Sequence, residues 1–154
     1  MVLLVDLEKT YLVDVGFGDA FRRPIAMPDG FVEDISGKYQ VRPFGSDLDR
    51  YVLQKQDKDN WQYVYSFTAH PWVISDFEEM CTFNQTSVES HFTQEIICTI
   101  ATKNGRVSLS EDFLTVTDGR SKRKINVISD EDFKQKLRDH FEIQLNYGKL
   151  RNHI

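Results

Sequence analysis

The first half of the chain reads as β. VLLVDL and TYLVDV flank a polar turn at Glu8-Lys9, which predicts a hairpin. KYQVRPF, RYVLQKQ and WQYVYSFT are rich in β-branched and aromatic residues and predict strands. Asp57-Lys58-Asp59-Asn60 supplies a turn between the last two. Pro24, Pro28 and Gly30 predict a loop between the opening hairpin and these strands.

The pattern changes at His70-Pro71. Ser75-Asp76-Phe77-Glu78 fits a capping box, with Ser at the cap and Glu three residues later, and predicts a short helix through about Phe83. HFTQEIICTIAT and RVSLSEDFLTVT predict a long hairpin around the Asn104-Gly105 turn signal, with KINVI as a third strand. Ser129 is placed to cap a final helix, with Asp130, Glu131 and Asp132 near its positive end. Phe133, Leu137 and Phe141 recur every four residues and predict one apolar face packed on the sheet. The tail NYGKLRNHI is mostly polar and is expected to be loosely held.

With 154 residues, 40% of them hydrophobic, the chain can form one domain or two small ones around a sizeable core. The net charge of -5 argues against a nucleic-acid partner, which would select a basic face. One basic run, Arg120 to Lys124, follows the turn signal Asp118-Gly119 and reads as a solvated hairpin arm. No segment approaches the ~20 apolar residues of a membrane span. The start, MVLLVDLEKT, carries acids and no basic leader, so it does not read as a signal peptide. Two cysteines, Cys81 and Cys98, form neither a disulfide framework nor a CxxC pair, so a reducing, cytoplasmic compartment is expected.

The stretch LVDVGFGD places Asp14 at the end of an apolar run, followed by two glycines around Phe17. Asp14 has two readings. It can accept hydrogen bonds from the turn that follows it. It can also be a carboxylate held on a rigid strand end to orient a histidine, with the glycines allowing a sharp turn and a close approach, and Phe17 facing a cleft. Spacing does not choose between them. His70, His91, His140 and His153 show no metal-binding spacing with each other or with the cysteines. Cys98, among apolar neighbours, reads as a buried structural thiol, and Cys81 has no base beside it in sequence. P-loop, GxGxxG and HExxH motifs are absent.

Three segments, in order, carry a family resemblance. VDVGFGDAFRRPI resembles the Asp-bearing segment of the arylamine N-acetyltransferases. YSFTAHPWVISDFEEMCTFNQTSVESHFTQEIICTI resembles that family's interdomain stretch, with its Ser-x-x-Ser-x-Phe at Ser87, Ser90 and Phe92. DEDFKQKLRDHFEIQL resembles its final helix and exit. The resemblance implies an α+β chain: a β-barrel-like antiparallel domain (1–70, truncated at its start), an interdomain helix (71–85), and an α/β lid (86–154) with antiparallel strands and a C-terminal helix. It implies acetyl-CoA as the acetyl donor, an arylamine or hydrazine acceptor, no metal, and a Cys-His-Asp triad. Asp14 matches the triad acid. Phe17 and Phe92 match aromatics of the acceptor pocket, and Ser90 a position near the coenzyme path. Glu89 departs from the small hydroxyl residue the family often has there.

The family's Arg-Gly-Gly-x-Cys motif is not in the sequence. Its histidine would fall a residue or two before Met1. The chain is therefore expected to be the later part of such an enzyme, missing an N-terminal helical domain, inactive alone, and self-associating through the face that domain would cover. The alternative is a stand-alone β-rich binding module without catalysis; an in-frame cysteine motif and histidine upstream of Met1 would decide for the enzyme.

Overall fold

The computed structural model describes residues 1–46 and 49–145. The chain divides into two units, Met1–Pro71 and Trp72–Ile154. The predicted loose tail lies outside the described residues.

The first unit holds two antiparallel sheets. In one, β1 (Leu3–Asp6), β2 (Thr10–Val13) and β3 (Ile25–Ala26) lie in that order. In the other, β4 (Phe31–Asp34), β5 (Gly37–Pro43), β6 (Arg50–Asp57) and β7 (Asn60–Thr68) do the same. The described strands thus form two sheets and not a closed barrel, which corrects the barrel-like expectation. The Glu8-Lys9 hairpin forms as the sequence predicts, pairing Leu3 with Val13 and Asp6 with Thr10. The loop predicted around Pro24–Gly30 instead contains β3 and leads into β4. Ile25 there is fully buried, because burial of one large aliphatic side chain is worth about 1.5–3 kcal/mol and overrides the flanking prolines.

Leu12, Phe21, Ile25, Val32, Tyr39, Val41, Leu53 and Phe67 form the core of this unit. Gln40 is buried, and its amide donates to Gln54 Oε1 at 2.8 Å while its oxygen accepts from Arg42 Nε at 3.3 Å. These bonds offset the cost of burying a polar side chain.

The second unit opens with a 3-10 turn (Ile74–Phe77) that runs into α1 (Glu78–Thr86), then the short α2 (His91–Gln94). The expected Ser75/Glu78 box does not form. The chain turns two residues earlier, where the Val73 N–H donates to Asp76 Oδ2 at 2.8 Å. His91–Gln94, read as the start of a strand, is helical, because Ser90 Oγ accepts from the Phe92 N–H and caps it.

Four antiparallel strands follow: β8 (Ile97–Thr102), β9 (Gly105–Ser110), β10 (Phe113–Asp118) and β11 (Ser121–Asn126). The segment read as one strand, RVSLSEDFLTVT, breaks at Glu111-Asp112 into β9 and β10, two adjacent acids being poor strand formers. Helix α3 (Asp130–Phe141) is capped as the sequence predicts, with Ser129 Oγ accepting from the Asp132 N–H at 3.1 Å. Its Phe133 and Leu137 are buried with Val107, Leu109 and Leu114. The basic run lies largely on β11, an edge strand whose six residues are all exposed; such charges discourage edge-to-edge pairing.

Candidate active site

Asp14 follows directly on β2, two residues after the fully buried Leu12. Its Oδ1 accepts from the Gly16 N–H at 2.9 Å and the Phe17 N–H at 3.0 Å. Its Oδ2 accepts from the Tyr65 hydroxyl at 2.7 Å. The segment after it is anchored at its far end. Ala20 and Phe21 are buried, and the Arg22 N–H donates to Asp34 Oδ2 at 2.7 Å. Burial pushes the Asp34 carboxyl up, but the bonds from Ser36 and from the Arg22 and Ser36 amides outweigh it and hold its pKa below the usual range.

Tyr65 reaches Asp14 from β7, 51 residues away in sequence. A register shift between Leu53 and Gln54 explains its direction: Leu53 pairs with Tyr65 but Gln54 pairs with Tyr63, so Val64 is the extra residue of a bulge. The bulge breaks strict alternation, leaving Tyr63 exposed while Phe67 is buried. Phe17 lies against Tyr65 with ring centroids 5.5 Å apart, and Tyr65 continues to Phe67 at 6.2 Å. Phe17 remains 47% exposed, so an apolar aromatic surface borders the carboxylate.

This arrangement can do one thing well. An ionised carboxylate has about four acceptor positions. Described residues take three on Asp14, which leaves capacity on Oδ2 for one further donor, such as an imidazole N–H. The first reading of Asp14, an acceptor for the turn that follows it, is what these bonds show: one oxygen closes the turn and the other takes the Tyr65 hydroxyl. Gly16 is not in the left-handed region, and a Cβ there would meet only Asp14 Oδ1 at 3.7 Å.

The remaining predicted positions lie in the second unit. Ser90 is 2% exposed and caps α2, with its hydroxyl also donating to Asn84 Oδ1 at 3.2 Å. Phe92 is 75% exposed on α2 and takes no part in the core. Cys98 is half-buried, and burial pushes its thiol pKa up, away from nucleophilic use. Cys81 is exposed, with Sγ accepting from Gln85 Nε2 at 2.9 Å.

Tyr65 was not singled out from sequence. The available signal was general: a tyrosine on a half-buried strand needs a partner for its hydroxyl. Burial, then the bond to Asp14, push its pKa well above the ordinary value. A raised folded-state pKa means that its stabilisation is complete below the unfolded value of about 10 and is lost as pH rises above it. Tyr65→Phe is therefore expected to flatten the loss of stability above pH ~10, measured by urea unfolding. An equally steep loss in the variant would contradict the bond.

A sequence-family profile described as N-acetyltransferase matches residues 1–150. The chain belongs to the arylamine N-acetyltransferase family. It is 28% identical to the pineal gland isozyme of arylamine N-acetyltransferase from Gallus gallus, over 94% of this chain and 58% of that protein. It is 26% identical to an uncharacterized acetyltransferase of Bacillus subtilis, over 85% of this chain and 52% of that protein. The chain thus spans a little over half the length of these curated relatives. Among solved structures, a Bacillus cereus arylamine N-acetyltransferase described as having a Cys-His-Glu catalytic triad superposes with a TM-score of 0.81 at 26% identity, covering 94% of this chain and 56% of that one. The Mycobacterium marinum arylamine N-acetyltransferase in complex with CoA gives 0.78 at 26% identity, covering 92% and 53%. The α+β character, mostly antiparallel sheet with few helices, agrees with these structures. Among the described residues, no helix is long and apolar enough to cross a membrane.

Proposed function

We propose that Asp14 is the acid of a Cys-His-Asp triad in an acetyl-CoA-dependent arylamine N-acetyltransferase, with the cysteine and histidine supplied from outside these 154 residues. The observation that carries the reading is the Asp14 carboxylate, fixed by two amides and Tyr65 with one acceptor position to spare. In this reading the thiolate attacks the thioester carbonyl of acetyl-CoA, and coenzyme A leaves as the thiol. The amine then attacks the enzyme thioester and releases the thiolate, in ping-pong order. The histidine keeps the thiol deprotonated, and Asp14 fixes the imidazole tautomer and stabilises its cationic form.

Phe17, beside the carboxylate, offers a ring surface to an arylamine or hydrazine acceptor. Phe92 is a second aromatic for the acceptor, carried by the unit that takes the part of the α/β lid. Ser90 acts on the coenzyme side by ordering the backbone that leads into α2, since its own hydroxyl is buried. The two free cysteines fit a cytoplasmic setting.

Two expectations test the reading on this chain. Incubation with radiolabelled acetyl-CoA leaves it unmodified, because it carries no activated cysteine; stoichiometric labelling of Cys81 or Cys98 contradicts this. The exposed Leu3, Leu7 and Val15 favour self-association, and a monodisperse monomer in light scattering at high concentration counts against it.

A further inference from the structure

We propose that the outer edge of β8 pairs antiparallel with β8 of a second copy of this chain, a contact that needs nothing from the acetyl-transfer reading above. The three sheets leave β1, β3, β4, β7, β8 and β11 as edge strands. An edge strand presents backbone N–H and C=O groups to any other strand, and proteins block it with charge, brevity or a bulge. β1 carries Asp6, β4 carries Glu33 and Asp34, and β11 carries Lys122, Arg123 and Lys124. β3 has only two residues, and β7 has the bulge at Val64. β8 has none of these devices. From Ile96 to Thr102 the chain has no charge, no proline and no glycine, and the register of β8 with β9 is unbroken.

The hydrogen-bond pattern fixes which residues can meet. A two-residue turn, Lys103-Asn104, joins the paired residues Thr102 and Gly105. The pair that closes such a turn is a hydrogen-bonded one, and bonded pairs alternate with unbonded pairs along an antiparallel ladder. Thr102, Ile100 and Cys98 therefore bond to β9, while the backbone groups of Ala101, Thr99 and Ile97 point outward. A two-fold pair of β8 strands needs outward residues opposite outward residues. That allows Thr99 opposite its own copy, or registers that slide the partner by two residues.

Charge selects among these registers. Glu95 precedes the uncharged run and Lys103 follows it. With Thr99 at the two-fold axis, Glu95 lies opposite the partner's Lys103, and symmetry repeats the pair at the other end. Sliding the partner by two residues puts Glu95 opposite the partner's Ala101 or Gly105 and loses both pairs. The Glu95 backbone is extended, so it can continue the strand. Among the described residues neither Glu95 nor Lys103 enters an ion pair. The same register covers exposed apolar surface. Ile97, 66% exposed, comes to lie opposite the partner's Ala101, and Ile100, 43% exposed, opposite the partner's Cys98. Cys98 and Ile100 pair with Leu109 and Val107, so the apolar face of the sheet continues across the axis. One strand pair is a small interface, and the dimer is accordingly weak and reversible.

Two measurements test the pairing. Thr99→Cys in a Cys81→Ser background is expected to form a disulfide dimer under copper–phenanthroline oxidation, because Cα atoms of a hydrogen-bonded antiparallel pair are about 5.5 Å apart, within disulfide range. Lys124→Cys on the charged β11 edge, and Cys81→Ser alone, are expected not to link. Sedimentation equilibrium reads the charges. Glu95→Lys or Lys103→Glu alone weakens dimerisation about tenfold, since each replaces two attractive pairs by two repulsive ones. E95K/K103E restores it to within about twofold of the wild type, because the swapped charges attract again. Self-association through the apolar Leu3 and Leu7 surface is indifferent to this swap, which separates the two contacts. A wild type that stays monomeric at millimolar concentration overturns the inference. So does Thr99→Cys linking no faster than Lys124→Cys, a single reversal that leaves association unchanged, or a double reversal that fails to restore it.

Discussion

Asp14→Asn is expected to lower acetyl transfer about 10⁴-fold in the polypeptide that joins this chain to its cysteine and histidine, the magnitude seen when a triad acid becomes an amide. The local geometry makes the prediction specific. The Gly16 and Phe17 amides are both donors, so they hold the oxygen of the introduced carboxamide at the Oδ1 position. The NH₂ group must then occupy the Oδ2 position. The Tyr65 hydroxyl can reverse and accept, but an imidazole N–H cannot, and the histidine turns to the wrong tautomer. Because the turn bonds survive, folding stability should change by only about 1 kcal/mol. A loss of transfer below tenfold in a well-folded variant would remove Asp14 from the chemistry.

Gly30→Ala is expected to cost about 3 kcal/mol in stability, near the upper end for forced overpacking. A Cβ at Gly30 would lie 1.8 Å from the Ala26 carbonyl oxygen and 2.7 Å from Ile25 Cγ2. The backbone around it has little freedom to yield. The Gly30 carbonyl accepts from the Val41 N–H, and Ile25 and Ala26 are paired to Leu12 and Tyr11. Gly16→Ala is the matched control, with only ordinary contact at 3.7 Å and an expected change within about 1 kcal/mol. Urea unfolding midpoints compare the two; equal shifts would contradict the packing argument.

What was legible in the sequence followed the range of the interactions concerned. The final helix announced itself because its cap at Ser129 and its apolar stripe at Phe133 and Leu137 are local features. The Glu8-Lys9 hairpin was legible for the same reason. Local signals misled where burial or a single side chain outweighed propensity. Ile25 makes a buried strand between two prolines, and Ser90 caps His91–Gln94 as a helical turn ahead of the strand. Two of the three residues that meet at Asp14 could be read from the sequence. Asp14 and Phe17 are neighbours in sequence, so their grouping is local. Tyr65 joins them only through the tertiary fold and a bulge at Val64, and no periodicity encodes that meeting.

The central claim is that Asp14 serves a cysteine and histidine that accept acetyl from acetyl-CoA. Its most direct test is a burst experiment without amine, on the polypeptide carrying all three residues. The account predicts rapid release of about one equivalent of free coenzyme A thiol per polypeptide, with formation of an enzyme thioester, and a burst slowed by orders of magnitude in Asp14→Asn. A folded wild-type protein with no burst, or an equally fast burst in Asp14→Asn, would contradict it.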